Sequence, residues 1–80
     1  MFKAAVVPVG DLLPGDVIRY LPGPFEDGEA LWLVVEIGPD VSRPAGTSWR
    51  LVAQRFEGEE LHCRAGDHPV GDEVELVWRL

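Results

Sequence analysis

Hydrophobic and polar positions along this chain come in short bursts separated by Pro and Gly. No stretch of ten or more residues between those breakers carries a helical period. The densest burst is Leu31-Trp32-Leu33-Val34-Val35-Glu36-Ile37, with six apolar residues in seven and turn formers on both sides. Seven residues is strand length, and apolar side chains on both alternating faces predict a strand covered on two sides. The cleanest alternation comes last. Val74, Leu76, Trp78 and Leu80 are predicted to point inward, and Glu73, Glu75 and Arg79 outward.

The other elements follow from the same alternation and its interruptions. Residues 2–9 read as a first strand, which Pro8 assigns to a sheet edge. Leu13-Pro14-Gly15-Asp16 is a turn, because proline presets φ at its second position and glycine supplies a positive φ at its third. Val17 to Leu21 is then a strand stopped by Pro22-Gly23-Pro24. Trp49 to Phe56 and Leu61 to Ala65 flank the hairpin loop Glu57-Gly58-Glu59-Glu60. In the return strand Leu61, Cys63 and Ala65 share the face assigned to the core, while His62 and Arg64 share the exposed one. Gly66 to Asp72 reads as a turn-rich connection.

Five or six short strands separated by Pro/Gly loops predict one all-β domain over residues 1–80, a small five- to six-stranded barrel. An SH3-like barrel is favoured and an OB-like barrel comes second, since the latter calls for longer, strongly bent strands. The expected core is Val17, Leu33, Val35, Leu51, Cys63, Leu76 and Trp78, so Leu33→Ala is expected to unfold or severely destabilise the domain.

Composition narrows the function. Eighty residues, 46% of them apolar, lie near the size at which one core only just outweighs chain entropy. The single cysteine, Cys63, cannot form an internal disulfide, which fits a reducing compartment and a cytoplasmic location, or a partner that supplies extra burial. No run approaches the length of a membrane-spanning helix, and the apolar start is too short for a secretory signal. Fourteen carboxylates against seven cations give a formal charge of −7. That charge repels a phosphate backbone, so general nucleic-acid binding is not expected.

Candidate chemistry is sparse. His62, Cys63, Asp67 and His68 resemble a metal set, but adjacent strand residues point to opposite faces and a second cysteine is absent. Cys63 is predicted to face inward in a strand, with no helix terminus to activate it as a nucleophile. The carboxylates Glu57, Glu59, Glu60, Asp67, Asp72, Glu73 and Glu75 form a solvated acidic face, and no nucleotide-binding, calcium-binding or hydrolase motif occurs. No catalytic residue, metal or cofactor is assigned, and an enzyme is not expected. The binding candidates are aromatic and cationic: Phe25 in the loop Pro22–Glu29, Trp32, Trp49 at the start of its strand, Arg50 and Arg55.

Pro14-Gly15-Asp16-Val17-Ile18-Arg19-Tyr20, a Pro/Gly loop and Leu33-Val34-Val35-Glu36-Ile37 together resemble the opening of the MazF/PemK mRNA-interferase toxins. Those are SH3-like barrels, and the resemblance covers a quarter to a third of the chain. Glu29-Ala30 stands where that family has Arg-Pro, and its Ser/Thr catalytic position has no counterpart. The resemblance therefore implies the fold and transfers no catalytic residue. Two functions remain in view. One is a non-enzymatic protein-interaction or assembly module, such as a component of a phage particle, acting through a protein partner or self-association, including strand addition at the final strand. The alternative is a small interferase-like ribonuclease, for which Arg19, Arg43, Arg50 and Arg55 would have to form one basic groove.

Overall fold

The computed structural model describes residues 3–23 and 29–79. Six strands form in chain order: β1 (Ala5–Pro8), β2 (Val17–Arg19), β3 (Leu31–Pro39), β4 (Ser48–Glu57), β5 (Glu60–Pro69) and β6 (Glu73–Trp78). A 3₁₀ turn over Val9–Asp11 joins β1 to β2. All pairings are antiparallel, and the strands form one sheet in the order β1-β6-β2-β3-β4-β5. The all-β expectation holds. Closure does not: β1 and β5 occupy the two edges and do not pair, so the sheet is open rather than a barrel. β1 stops after four residues at Pro8, whose ring removes a ladder donor, and the chain turns away instead of running on to meet β5.

Two boundaries move with consequence. β5 runs on through Gly66 and His68 to Pro69, so the expected long connection shrinks to the turn at Val70–Asp72. β6 is paired by β1 over Glu73–Leu76 and by β2 over Glu75–Trp78, so it lies inside the sheet and not at its edge. Pro8 does lie in an edge strand, as expected.

The core occupies one face of the sheet. Val9, Leu12, Ile18, Tyr20, Val34, Leu51, Val74 and Leu76 form one buried cluster. In a flat sheet β6 and β4 would stand about 14 Å apart, three strand spacings. Their joint membership of this cluster requires the sheet to curl around its inner face, with Val9 and Leu12 filling the open side. Trp49 lies across Gly10, where a Cβ would fall 2.7 Å from the indole Cε2, so glycine is what allows this approach.

Two bulges decide which residues face inward. In β3 the register slips between Val34 and Glu36, so that Val34 opposes Ala53 while Ile37, three residues later, opposes Leu51. In β6, Ile18 opposes Leu76 but Val17 opposes Trp78, so Val77 is the extra residue. Trp78 is thereby turned to the outer face, opposite to Val74 and Leu76. The β6 shift takes Trp78 out of the expected core, whereas Val17, Leu33 and Cys63 face outward through regular pairing with one another and with Gln54. Leu51 and Leu76 are buried, but Val17 is half-buried, and Leu33, Val35, Cys63 and Trp78 are exposed.

A polar anchor holds the turn before β2 against the chain after β6. Asp16 accepts hydrogen bonds from Arg79 Nε (2.9 Å) and Nη2 (2.8 Å) and from the Leu13 amide (2.8 Å). Arg79 Nη2 also donates to the Asp11 carbonyl at 2.9 Å. Burial alone would raise the pKa of Asp16, but the Arg79 and Leu13 hydrogen bonds and the Arg79 charge outweigh it, and the group is held below its ordinary value. A second buried carboxylate, Asp40, orders the turn after β3 by accepting from the Ser42 hydroxyl (2.6 Å) and amide (3.0 Å). The Ser42 hydroxyl bond is the chief cause of its lowered pKa.

Candidate functional site

The outer face of the sheet is where apolar residues remain uncovered. Trp78, Val17, Leu33, Gln54 and Cys63 follow one another across β6, β2, β3, β4 and β5 in a single cross-strand row. Toward the β4–β5 hairpin, Phe56 opposes Leu61, and the two are 70% and 51% exposed. Leu31 lies beside them, and on the other side of the row come Val35, Val52 and Ala65. The hairpin places Phe56 and Leu61 because its two-residue loop, Gly58-Glu59, has the positive φ (62°) at its first position that a tight strand reversal needs. A shallow dent of about 250 Å³ is lined by Val17, Leu31, Leu33, Gln54 and Phe56 together with Trp32 and Arg55.

Charges on this face are mostly engaged. Arg19 Nη1 donates to Glu75 Oε1 at 3.0 Å. Arg50 and Arg43 each approach Asp67 at 3.9 Å. Glu36 on β3 and Glu59 at the hairpin tip are exposed.

The inner face continues beyond the apolar core as a stack of rings and cations. The Arg55 guanidinium lies 5.3 Å from the Trp32 ring and donates to Glu57 at 3.0 Å. Trp32 meets Tyr20 edge to face at 5.9 Å, Arg64 lies 4.3 Å over Tyr20, and His68 runs parallel to Tyr20 at 6.1 Å. His68 Nδ1 is 2.7 Å from Asp72 Oδ2, and His62 Nε2 is 3.5 Å from both Glu57 and Glu60. His62 and Arg64 therefore face inward, and Leu61, Cys63 and Ala65 outward, the reverse of the expected assignment. Pairing enforces it, since Ala53 opposes Arg64 and Leu51 opposes Gly66. These cations flatten over aromatic rings and extend the core with their hydrocarbon stems. Among the described residues, no three His, Cys, Asp or Glu side chains are placed to hold a metal ion.

Four of the five binding candidates lie among the described residues, and they are divided between the two faces. Phe25 lies outside the described residues. Trp32 and Arg55 stack together on the inner face, Trp49 is half-buried against Gly10, and Arg50 is exposed on the outer face beside Asp67. Arg19, Arg43, Arg50 and Arg55 are likewise dispersed, and each lies within 4 Å of a carboxylate. The residues that do form a continuous surface, Leu31, Leu33, Val35, Phe56, Leu61 and Trp78, were missed because apolar character was equated with burial. Their signal was the excess of apolar residues on both faces of the third strand.

The chain is thus a small all-β protein built on one open, curled, six-stranded antiparallel sheet. No protein-family model matches it, and no curated protein or solved structure matches it significantly.

Proposed function

We propose that the protein is a non-enzymatic interaction module that binds a protein partner through the outer face of its sheet. One observation carries this reading: six large apolar side chains, each between 39% and 70% exposed, lie together on that face. Water-exposed apolar surface of this extent is destabilising unless something covers it, and contiguous patches of this kind mark interaction sites. The strand connections support a finer reading of the fold as an open relative of the SH3-like barrel. β2 to β5 form a simple meander and β6 returns beside β2, whereas an OB fold is a Greek key. The exposed free thiol of Cys63 accords with a reducing, cytoplasmic setting. The ribonuclease alternative has no support from the dispersed arginines.

The test compares wild type with Phe56→Ser and Leu61→Ser, by light scattering over a range of concentrations and by capture from source lysate on the immobilised chain. Association or a captured protein that is lost in both variants, with melting temperatures unchanged, is the expected result. A strict monomer that captures nothing beyond what the variants capture overturns the reading.

A further inference from the structure

We infer that the open edge of β5 pairs with the same edge of a second copy of this chain, giving an antiparallel dimer whose sheet runs on from one molecule into the other. This goes beyond the outer-face reading and does not depend on it. β5 ends the strand order of the sheet, with β4 as its one neighbour among the described strands. The ladder with β4 shows which backbone groups are left over. Ser48 opposes Pro69, so Thr47 and Val70 come next, and the Val70 amide donates to the Thr47 carbonyl at 3.0 Å. In an antiparallel ladder such bonded pairs alternate with unbonded ones, so Glu60, His62, Arg64, Gly66 and His68 turn their amides and carbonyls to β4. Leu61, Cys63, Ala65 and Asp67 turn theirs to the open edge. Pro69, which has no amide hydrogen, falls at an outward position where none is needed.

The two edges of the sheet are guarded differently. β1 has four residues and stops at Pro8, whereas β5 has ten, pairs without a bulge, and carries no Lys and no Pro before Pro69. A long, regular edge of this kind is a template for another strand. Charge is also kept off it. Glu60, Arg64 and Asp67 (two carboxylates, one cation) leave −1 on β5, against −7 on the whole chain. An antiparallel edge complements itself about a twofold axis, so a second copy meets these groups with no further surface. The side chains choose the register. Centred on Arg64, two guanidinium groups would face each other. Centred on Ala65, Cys63 would meet Asp67, and Leu61 would meet Pro69 with its missing amide hydrogen. Centred on Cys63, Leu61 meets Ala65 and Cys63 meets its own copy on the outer face, while Glu60 meets Gly66 on the inner one. His62 then meets Arg64, and Glu57 and Glu60, each 3.5 Å from His62, balance the added cation.

Ala65→Pro tests the pairing, because it deletes an outward amide hydrogen and leaves every bond to β4 in place. Sedimentation equilibrium of wild type is expected to show a monomer–dimer equilibrium that strengthens with added salt, as the −7 on each copy is screened. Ala65→Pro should weaken the dimer by roughly tenfold or more, and Phe56→Ser by less than about threefold. Ala65→Lys, which sets a charge at the same edge position, supplies the loss should Ala65→Pro fail to fold. Amide exchange gives a second readout on wild type. The Cys63 and Ala65 amides should slow as concentration rises, whereas those of His62, Arg64 and Gly66 are slow throughout. A strict monomer at millimolar concentration, or a dimer in which the Cys63 and Ala65 amides exchange freely, overturns the inference. A dimer that Phe56→Ser dissolves and Ala65→Pro leaves intact also overturns it, and supports the outer-face reading instead.

Discussion

Leu33 and Val34 are adjacent in β3 and similarly hydrophobic, yet Val34 is 1% exposed and Leu33 39%. Val34 opposes Ala53 on the inner face and joins the core cluster, whereas Leu33 lies between Val17 and Gln54 on the outer face. The same contrast separates the two faces of the whole sheet. One is closed by curling and by the 3₁₀ turn, and the other carries a set of apolar side chains that stay exposed. Apolar content thus locates the strand, but only the register tells which half of it stabilises the fold and which half is left exposed.

The largest expected effect is on the inner face. Leu51→Ala should cost about 2–5 kcal/mol through lost transfer energy and a cavity, a large part of what a domain of this size has. Denaturant titration should show a near loss of the folded baseline. Asp16→Asn should cost about 2–3 kcal/mol, because it puts an amide donor against Arg79 and removes the buried charge.

The same pair gives a pH dependence. The folded-state pKa of Asp16 lies below its ordinary value of 3.8, so its contribution is complete above that value and is lost as pH falls through the folded pKa. Acid titration of stability should show wild type losing more than Asp16→Asn below pH 3.8. Gly10→Ala should cost roughly 1–3 kcal/mol, since Trp49 must move from a Cβ otherwise 2.7 Å away, and its fluorescence should shift.

The smallest effect is the decisive one for the comparison. Leu33→Ala, on a half-open site, should lower stability by less than about 1.5 kcal/mol. A Leu33→Ala melt as damaging as that of Leu51→Ala would mean that the outer face is covered within the chain itself, and the contrast between the faces would fail.

Much of the fold was legible in the sequence. Six strands, the turn at Pro14-Gly15, the hairpin at Gly58 and the edge position of Pro8 follow from local rules that act over a few residues. The faces were not, because facing is a property of pairing. Extra residues at Val35 and Val77 reverse the alternation within their own strands, and nothing in a Val-Val or Val-Trp dipeptide announces a bulge. β5 was more accessible. Once the hairpin pairs Glu57 with Glu60, an inward Leu51 puts Gly66, Arg64 and His62 inward as well. The apolar reading of Leu61, Cys63 and Ala65 overrode that count. The candidate site was hidden by the same assumption, since Leu33, Val35 and Trp78 had been assigned to the core.

Cys63 gives the outer face its own reporter. It is the chain's single cysteine, it is exposed, and it ends the row that begins at Trp78. One equivalent of a maleimide dye or spin label therefore attaches at one known place without any engineered residue. The rate of its alkylation measures how often this face is open, and the slowing of that rate in a cell extract would show a bound partner before that partner had been identified.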